Sequence, residues 1–127
     1  MVPTTPLASA GVETLRLRTT GRRTGAVREA NLFFVPDGAN LALAASNGGA
    51  DEPPAWYLNL NAQPVAQIEH GGVPRVVRAR DATPEERARI YPQFIAGKAA
   101  YAEYERMTSR PIAVVILEPI DGSDGGS

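Results

Sequence analysis

Short β segments separated by turn sequences constrain the fold of this chain more than any other feature. The segment Val12–Arg18 alternates apolar and polar residues, which predicts a strand with one buried face. The segment Thr19–Gly25 contains a turn bounded by Gly21 and Gly25. It predicts a hairpin that leads into a strand over about Ala26–Val35. After the turn residues Pro36–Asn40, Leu41–Ala45 predicts a third strand. We therefore expect an antiparallel meander at the start of the fold.

Three more strands are predicted further along the chain. Val65–Glu69 and Val73–Arg80 are separated by His70, Gly71 and Gly72, a sequence typical of a tight hairpin. Ile112–Leu117 is apolar and rich in β-branched residues, which predicts a central strand.

Helices are predicted in two connections. Asp51 can cap a helix that carries prolines in its first turn and lasts to about Asn61. Thr83–Glu86 has the sequence of a capping box with proline at the first helical position, and we expect the helix that it starts to be interrupted at Pro92. A second amphipathic segment covers about Lys98–Met107.

Six strands with helices after the third and the fifth predict a mainly β fold with helices (α+β), arranged as a small antiparallel barrel with helical caps. A length of 127 residues fits one domain. We expect an irregular lead-in at residues 1–11, the barrel at residues 12–119 and a flexible tail at residues 120–127.

Composition excludes several classes of function. The absence of cysteine excludes disulfides, zinc–thiolate sites and thiol catalysis. No apolar run is long enough to span a bilayer and the N-terminus lacks signal-peptide character, so we expect a cytoplasmic protein without an integral membrane segment. A formal net charge of −1 gives no global field for nucleic acid. The sequence also lacks GxSxG, GxGxxG, P-loop and HExxH motifs.

A cluster of arginines marks the first candidate site. Arg22, Arg23 and Arg28 lie on and just after the first predicted turn, where a tight hairpin would bring them within reach of one anion. Arginine suits phosphate and carboxylate because its planar fork donates two parallel hydrogen bonds. The alternative is a solvated turn. Nucleic acid is a weaker interpretation because aromatic residues are not interleaved with the basic ones.

The second candidate site is the stretch Ala45–Leu60. Its Ser-Asn-Gly-Gly loop can leave backbone N–H groups free to bind ligand oxygens. Trp56 can provide a flat apolar wall, or it can fill the core. Tyr101 and Tyr104, three residues apart, share a helix face. Their phenols are either donors to a substrate oxygen or half-buried core contacts.

An ordered set of motifs adds a resemblance to a known family. The motifs are TTGRRTG (19–25), ASNGGA (45–50), PAWYLN (54–59), YAEY (101–104) and PIAVVILEP (111–119). Together they resemble the deazaflavin-dependent nitroreductase family of actinobacteria, over about residues 15–119. The resemblance implies a split β-barrel of the FMN-binding type that uses reduced coenzyme F420 to deliver hydride to a quinone, an enone or a nitroaromatic compound.

The resemblance also implies roles for individual residues. It assigns the phosphate and acidic tail of F420 to the arginines of the first turn. It assigns the deazaflavin ring to the backbone of residues 45–47, in the glycine loop (residues 45–52), and to the segment 54–59. The two tyrosines would face the substrate. The implied cofactor-binding residues are Arg22, Arg23, Thr24, Arg28, Ala45, Ser46, Asn47, Pro54, Ala55, Trp56 and Asn59, and the implied catalytic residues are Tyr101 and Tyr104. No metal is implied, and the expected partner is a small-molecule electron acceptor.

The chain departs from the family pattern at three positions. Leu58 stands where histidine is common, Asn31 where proline is usual, and Lys98 where an aromatic residue lies near the tyrosines. Leu58 and Lys98 bear on the substrate range more than on cofactor binding. Two alternatives stay open: an FMN- or haem-binding barrel, and a non-catalytic F420 carrier. The sequence does not distinguish a monomer from a homodimer.

Overall fold

A computed structural model describes residues 13–120 and shows six antiparallel strands that close into a barrel. The strands are β1 (Glu13–Thr20), β2 (Val27–Asp37), β3 (Asn40–Ala44), β4 (Val65–His70), β5 (Val73–Asp81) and β6 (Val114–Pro119). Around the barrel they follow the order β1-β2-β3-β6-β5-β4, and β4 pairs with β1 to close it. This confirms the predicted barrel. The predicted lead-in, Val12 and residues 121–127 of the predicted tail lie outside the described residues.

Helical segments occupy the two predicted connections. A 3₁₀ turn (Asn47–Gly49) and helix α1 (Ala55–Ala62) follow β3, whereas α2 (Pro84–Gly97) and α3 (Ala100–Met107) follow β5. None of the helices between residues 13 and 120 has the length and apolar character that a membrane crossing requires.

Strand pairing reproduces the alternation read from the sequence. Leu15 pairs with Leu32 on β2, and Leu17 pairs with Ile68 on β4. Both β1 leucines are buried while the residues between them are exposed. Because successive side chains of a strand point to opposite faces, the apolar positions of β1 all enter the barrel.

Two apolar layers stabilise the fold, one inside the barrel and one between its outer surface and helices α2 and α3. Leu17 belongs to the inner layer and Phe94 of α2 to the outer layer, and both are fully buried. On β2, Phe34 enters the inner layer and its neighbour Val35 enters the outer one. Both faces of β2 are therefore buried near its end.

Two helix predictions were wrong. Pro92 lies inside α2 and does not interrupt it, because the helix packs on the barrel through Ile90 and Phe94 while Pro92 is exposed on the solvent side. That packing outweighs the single hydrogen bond that proline cannot donate. Asp51 does not cap α1, whose N-cap is Pro54. The Asp51 carboxylate instead accepts a hydrogen bond from Thr108 Oγ1 at 3.2 Å.

The capping box at the start of α2 is confirmed and is joined by an arginine. Thr83 Oγ1 accepts from the Glu86 amide at 3.1 Å, and the Thr83 amide donates to Glu86 Oε1 at 2.9 Å. Arg80 donates to both Glu86 oxygens, at 2.8 and 2.9 Å, and to Glu118 at 3.0 Å. The Arg80 guanidinium and the Thr83 amide lower the pKa of Glu86 to about 2. The α2 N-terminus is thereby tied to β5 and β6.

We predict that Glu86→Gln lowers the urea midpoint of unfolding at neutral pH, because glutamine keeps the cap but removes the carboxylate that Arg80 binds. The difference from wild type should shrink as pH falls from about 4.5 towards about 2, since the unfolded chain takes up the Glu86 proton at the higher value and the folded chain at the lower. Urea titrations at pH values across this window measure it. Glu85→Gln is the control, and equal effects of both variants at every pH would contradict the prediction.

Candidate functional site

Two cavities share one wall on the barrel surface. The arginine cavity has a volume of about 460 Å³ and is lined by Thr19, Gly21, Arg22, Arg23, Thr24, Arg28, Glu29, Ala30, Ala55, Trp56 and Asn59. The tyrosine cavity has a volume of about 480 Å³ and is lined by Thr14, Asn31, Leu32, Phe33, Ala44, Ser46, Asn47, Gly48, Pro54, Trp56, Lys98, Tyr101 and Tyr104. Each has the size of a small-molecule site. Trp56 lines both.

The turn between β1 and β2 places the arginines of the first cavity. The Gly21 amide donates to the Ala26 carbonyl at 2.7 Å, and the Gly25 amide donates back to the Gly21 carbonyl at 2.8 Å. A Cβ atom on Gly21 would lie 3.0 Å from that Ala26 oxygen, and Gly25 has a φ of +76°. Both glycines are therefore required by the turn, which presents Arg22 and Arg23 at its tip.

The arginine cavity has an excess of positive charge. Its single carboxylate, Glu29, already accepts from Arg18 Nε at 2.7 Å. Arg23 and Arg28 form no ion pair with any group in residues 13–120. Arginines at a concave surface without a paired carboxylate attract an anionic ligand.

Asn59 joins helix α1 to the arginine turn. Its side chain is 3 % exposed, and its Oδ1 accepts from both the Arg22 amide at 3.2 Å and Arg22 Nη1 at 3.1 Å. Its Nδ2 donates to Thr19 Oγ1 at 3.2 Å. Asn59 thus lines the cavity and also sets the position of Arg22, because its buried amide has partners on both sides.

The glycine loop exposes a run of backbone donors. The Gly49 and Ala50 amides donate to the carbonyls of Ser46 and Asn47 in the 3₁₀ turn. The amides of Ser46, Asn47 and Gly48 donate to no group among residues 13–120. Asn47 and Gly48 both have positive φ, 48° and 63°. Consecutive unpaired amides in such a conformation form a concave site for anions or carbonyl oxygens.

Ala45 is placed differently from its neighbours. It is fully buried and lines neither cavity. Its amide donates to the Ala113 carbonyl at 2.9 Å, and its own carbonyl accepts from Arg110 at 3.1 Å. Both backbone groups of Ala45 are therefore already paired inside the protein.

Arg110 holds the glycine loop, a role that the sequence analysis missed. Its guanidinium donates to four backbone carbonyls of the loop: Ala45 at 3.1 Å, Ser46 at 3.0 Å, Ala50 at 3.2 Å and Glu52 at 3.2 Å. Four of its five N–H donors have partners. Local sequence carries no signal for this contact because Arg110 is about 60 residues away, and only the barrel topology brings it to the loop.

The end of α3 packs on the same loop. Gly49 has a φ of +86°, and a Cβ atom there would lie 3.0 Å from Met107 Sδ. Thr108 Oγ1 donates to Asp51, as described above, and accepts from the Arg110 amide at 3.3 Å. The loop is therefore held in one shape by α3 and by the segment after it.

Tyr101 and Tyr104 both line the tyrosine cavity, with ring centroids 5.3 Å apart. Tyr101 is 7 % exposed and packs against Phe33 and Phe94. Neither tyrosine hydroxyl makes a hydrogen bond with another group in the described part of the chain. Burial, with a smaller effect of Tyr104, raises the pKa of Tyr101 to about 12. Tyr101 is therefore a protonated donor throughout the neutral range.

Trp56 fills the core and also lines the cavities. It belongs to the inner core layer and is 9 % exposed, yet it lines both cavities. Pro54 and Ala55, which start helix α1, line the tyrosine and arginine cavities respectively. Helix α1 thus forms the division between the two cavities.

The structure brings together most of the predicted site residues, in two groups. The residues that line the arginine cavity are Arg22, Arg23, Thr24, Arg28, Ala55, Trp56 and Asn59. Those that line the tyrosine cavity are Ser46, Asn47, Pro54, Trp56, Tyr101 and Tyr104. Ala45 alone of the predicted residues lies in neither. Within residues 13–120, no three His, Cys, Asp or Glu side chains group closely enough to hold a metal ion.

The closed barrel and its helical connections define the split β-barrel class of proteins. Two solved structures share its fold: a reductase dependent on reduced F420, at a TM-score of 0.76 and 32% identity over 84% of this chain and 94% of that one, and a haem storage protein from Vibrio cholerae, at a TM-score of 0.64 and 14% identity over 91% of this chain and 87% of that one. The second likeness shows the fold alone.

Sequence comparison shows the family. The model of the F420H(2)-dependent quinone reductase family matches residues 4–119. An F420H(2)-dependent quinone reductase of Mycobacterium tuberculosis is 37% identical over 107 residues, which are 81% of this chain and 71% of the relative. A second protein of that species, named provisionally as such a reductase, is 37% identical over 108 residues, 85% of this chain and 91% of the relative. The chain belongs to the F420H(2)-dependent quinone reductase family.

This membership confirms the family, the F420 cofactor and the oxidoreductase class expected from the motifs. It supports a quinone among the three acceptor types that the resemblance implied. The roles of individual residues stay predictions.

We predict that Arg110→Lys loosens the glycine loop, because one ammonium cannot reach four carbonyls. The free energy of unfolding should fall by about 1–2 kcal/mol. Hydrogen exchange at the Gly49 and Ala50 amides should accelerate more than exchange in the barrel strands, which mass spectrometry of peptides can measure. Arg106→Lys, an exposed residue paired only with Glu103, is the control. If hydrogen exchange in the loop were unchanged in Arg110→Lys, Arg110 would not be what holds the loop.

Proposed function

We propose that this protein oxidises reduced F420 and reduces a quinone, with the cofactor's anionic tail in the arginine cavity and the acceptor in the tyrosine cavity. The observation that supports this arrangement is the position of Trp56 between a cationic cavity and a cavity with two free phenols. The family establishes the reaction class, and the assignment of each cavity is our proposal.

The donor set of the arginine cavity fits a phosphate and carboxylates. Arg22 is held by Asn59, while Arg23 and Arg28 have no carboxylate partner among the described residues. Guanidinium groups bind such anions through paired, charge-assisted hydrogen bonds. The fixed Arg22 would set the position of the tail, and the other two arginines would add affinity.

The glycine loop fits the polar edge of a flat ring. Ser46, Asn47 and Gly48, whose amides have no partner within residues 13–120, line a cavity that is also lined by Trp56. Backbone donors held by Arg110 need little reorganisation when a ligand binds, which favours a defined ring position. The loop would therefore orient the ring towards the tyrosines.

The residues of the tyrosine cavity would assist the transfer to the acceptor. When bound, reduced F420 supplies a hydride. A quinone that gains the hydride becomes a hydroquinone anion, which needs one further proton. Tyr101 or Tyr104 would donate a hydrogen bond or that proton to the acceptor oxygen, with the proton restored from solvent. Positioning and hydrogen bonding are then the protein's contribution.

The experiment that tests this function is anaerobic oxidation of reduced F420 with menadione as acceptor, together with parallel binding titrations of F420 and FMN. We expect turnover and preferential binding of F420. Tight F420 binding without turnover would identify a carrier, and preferential binding of FMN would overturn the cofactor assignment.

We predict that Arg23→Ala and Arg28→Ala each weaken F420 binding about tenfold, or about 1.4 kcal/mol, since each removes one guanidinium from the tail. The quench of fluorescence from Trp56, the chain's single tryptophan, measures binding. Arg75→Ala is the matched control because Arg75 is exposed and lines neither cavity. If all three variants bound F420 with equal affinity, the F420 tail would not lie in the arginine cavity.

We predict that the double variant Tyr101→Phe and Tyr104→Phe lowers kcat about 100-fold while F420 affinity stays nearly unchanged. The rings keep their packing and only the donors are lost. Stopped-flow oxidation of reduced F420 measures the step. Tyr91→Phe is the control, because the Tyr91 hydroxyl donates to the Tyr101 carbonyl and lines neither cavity. An unaltered rate in the double variant would remove both phenols from the mechanism.

A further inference from the structure

One lysine gives the tyrosine cavity its charge. Among the described residues that line this cavity, Lys98 alone has a formal charge, and the others are apolar or neutral. The chain has twelve arginines, and Lys98 is its single lysine. The cavity therefore presents one compact ammonium group to whatever binds there.

The backbone of Lys98 is fixed beside the tyrosines. Lys98 is the C-cap of α2, and its amide donates to the Phe94 carbonyl at 2.8 Å. Its own carbonyl accepts from the Tyr101 amide at 3.0 Å. These contacts hold the base of the lysine side chain within one turn of Tyr101.

No internal anion neutralises this lysine. Within residues 13–120 it forms no ion pair, and no Asp or Glu lines the tyrosine cavity. The four acidic residues of α2 and α3, Glu85, Glu86, Glu103 and Glu105, lie outside the lining, as does Asp81 at the end of β5. The charge on Lys98 is thus available to a ligand.

We propose that Lys98 is a specificity-determining residue that selects acceptors with an anionic substituent, such as a carboxylate, a sulfonate or an ionised ring hydroxyl, beside the reducible ring. This inference rests on the proposed function, because it assumes that the acceptor binds in the tyrosine cavity. The ammonium would attract the anionic group while Tyr101 and Tyr104 face the ring oxygen. Lys98 is exposed, and a cation at an exposed site changes affinity for such a ligand by up to about fivefold.

Two acceptors that differ in charge test the proposal. Menadione is neutral, and 1,4-naphthoquinone-2-sulfonate has a permanent negative charge. We expect Lys98→Met to lower kcat/KM by up to about fivefold for the sulfonate and less than about twofold for menadione. Taking the ratio between variants cancels the different redox reactivities of the two quinones. Lys98→Arg should retain most of the preference for the sulfonate over menadione. Lys98→Glu should lower kcat/KM for the sulfonate further than Lys98→Met does.

Salt and a matched control separate charge recognition from a structural effect. The preference of the wild type for the sulfonate should fall with added salt, and that of Lys98→Met should not. Arg75→Met removes an equal charge outside both cavities and should leave the ratio unchanged. Equal effects of Lys98→Met on both quinones, or none on either, would overturn the proposal.

A binding measurement makes the two levels of proposal distinguishable. Quenching of Trp56 fluorescence by the sulfonate reports binding without any turnover, and comparison with Lys98→Met assigns the quenching to the tyrosine cavity, because Trp56 lines both cavities. If menadione is not reduced by the wild type, the proposed function fails. Weaker quenching in Lys98→Met than in wild type would still support anion recognition, and identical quenching would refute it.

Discussion

The guanidinium of Arg110 allows the connection from β3 to α1 to keep an irregular shape at the edge of the barrel. A loop without helical or strand pairing leaves its carbonyls without partners, and four of them converge on this one side chain. The contact fixes the loop from its first residue, Ala45, to Glu52. The loop leads to Trp56, which has a position on the wall shared by both cavities.

That position divides the surface into two cavities with different chemistry. The arginine cavity is cationic because its one carboxylate is already paired with Arg18. The tyrosine cavity combines loop amides and two phenols, none of which has a hydrogen-bond partner within residues 13–120, with one ammonium group. Trp56 packs in the inner core and also lines both cavities, so it lies between them. A cofactor with an anionic tail and a flat ring suits this arrangement.

Features encoded by neighbouring residues could be predicted from the sequence. The leucine alternation of β1, the glycine-bounded turn and the capping box each depend on a few consecutive residues. The two wrong predictions concern residues whose local preference is overridden by contacts with residues distant in the sequence. Pro92 is tolerated because α2 packs on the barrel. The Asp51 carboxylate accepts a hydrogen bond from Thr108 and does not cap α1. The role of Arg110 could not be predicted for the same reason, since only the closed barrel brings its partners near.

A crystal structure of the protein with F420 bound would show directly which cavity holds the tail and which holds the ring. We expect the phosphate within hydrogen-bonding distance, about 3 Å, of guanidinium groups among Arg22, Arg23 and Arg28. We also expect the ring against Trp56 with an edge at the amides of Ser46 to Gly48. A phosphate bound in the tyrosine cavity, or on another face of the barrel, would contradict this arrangement.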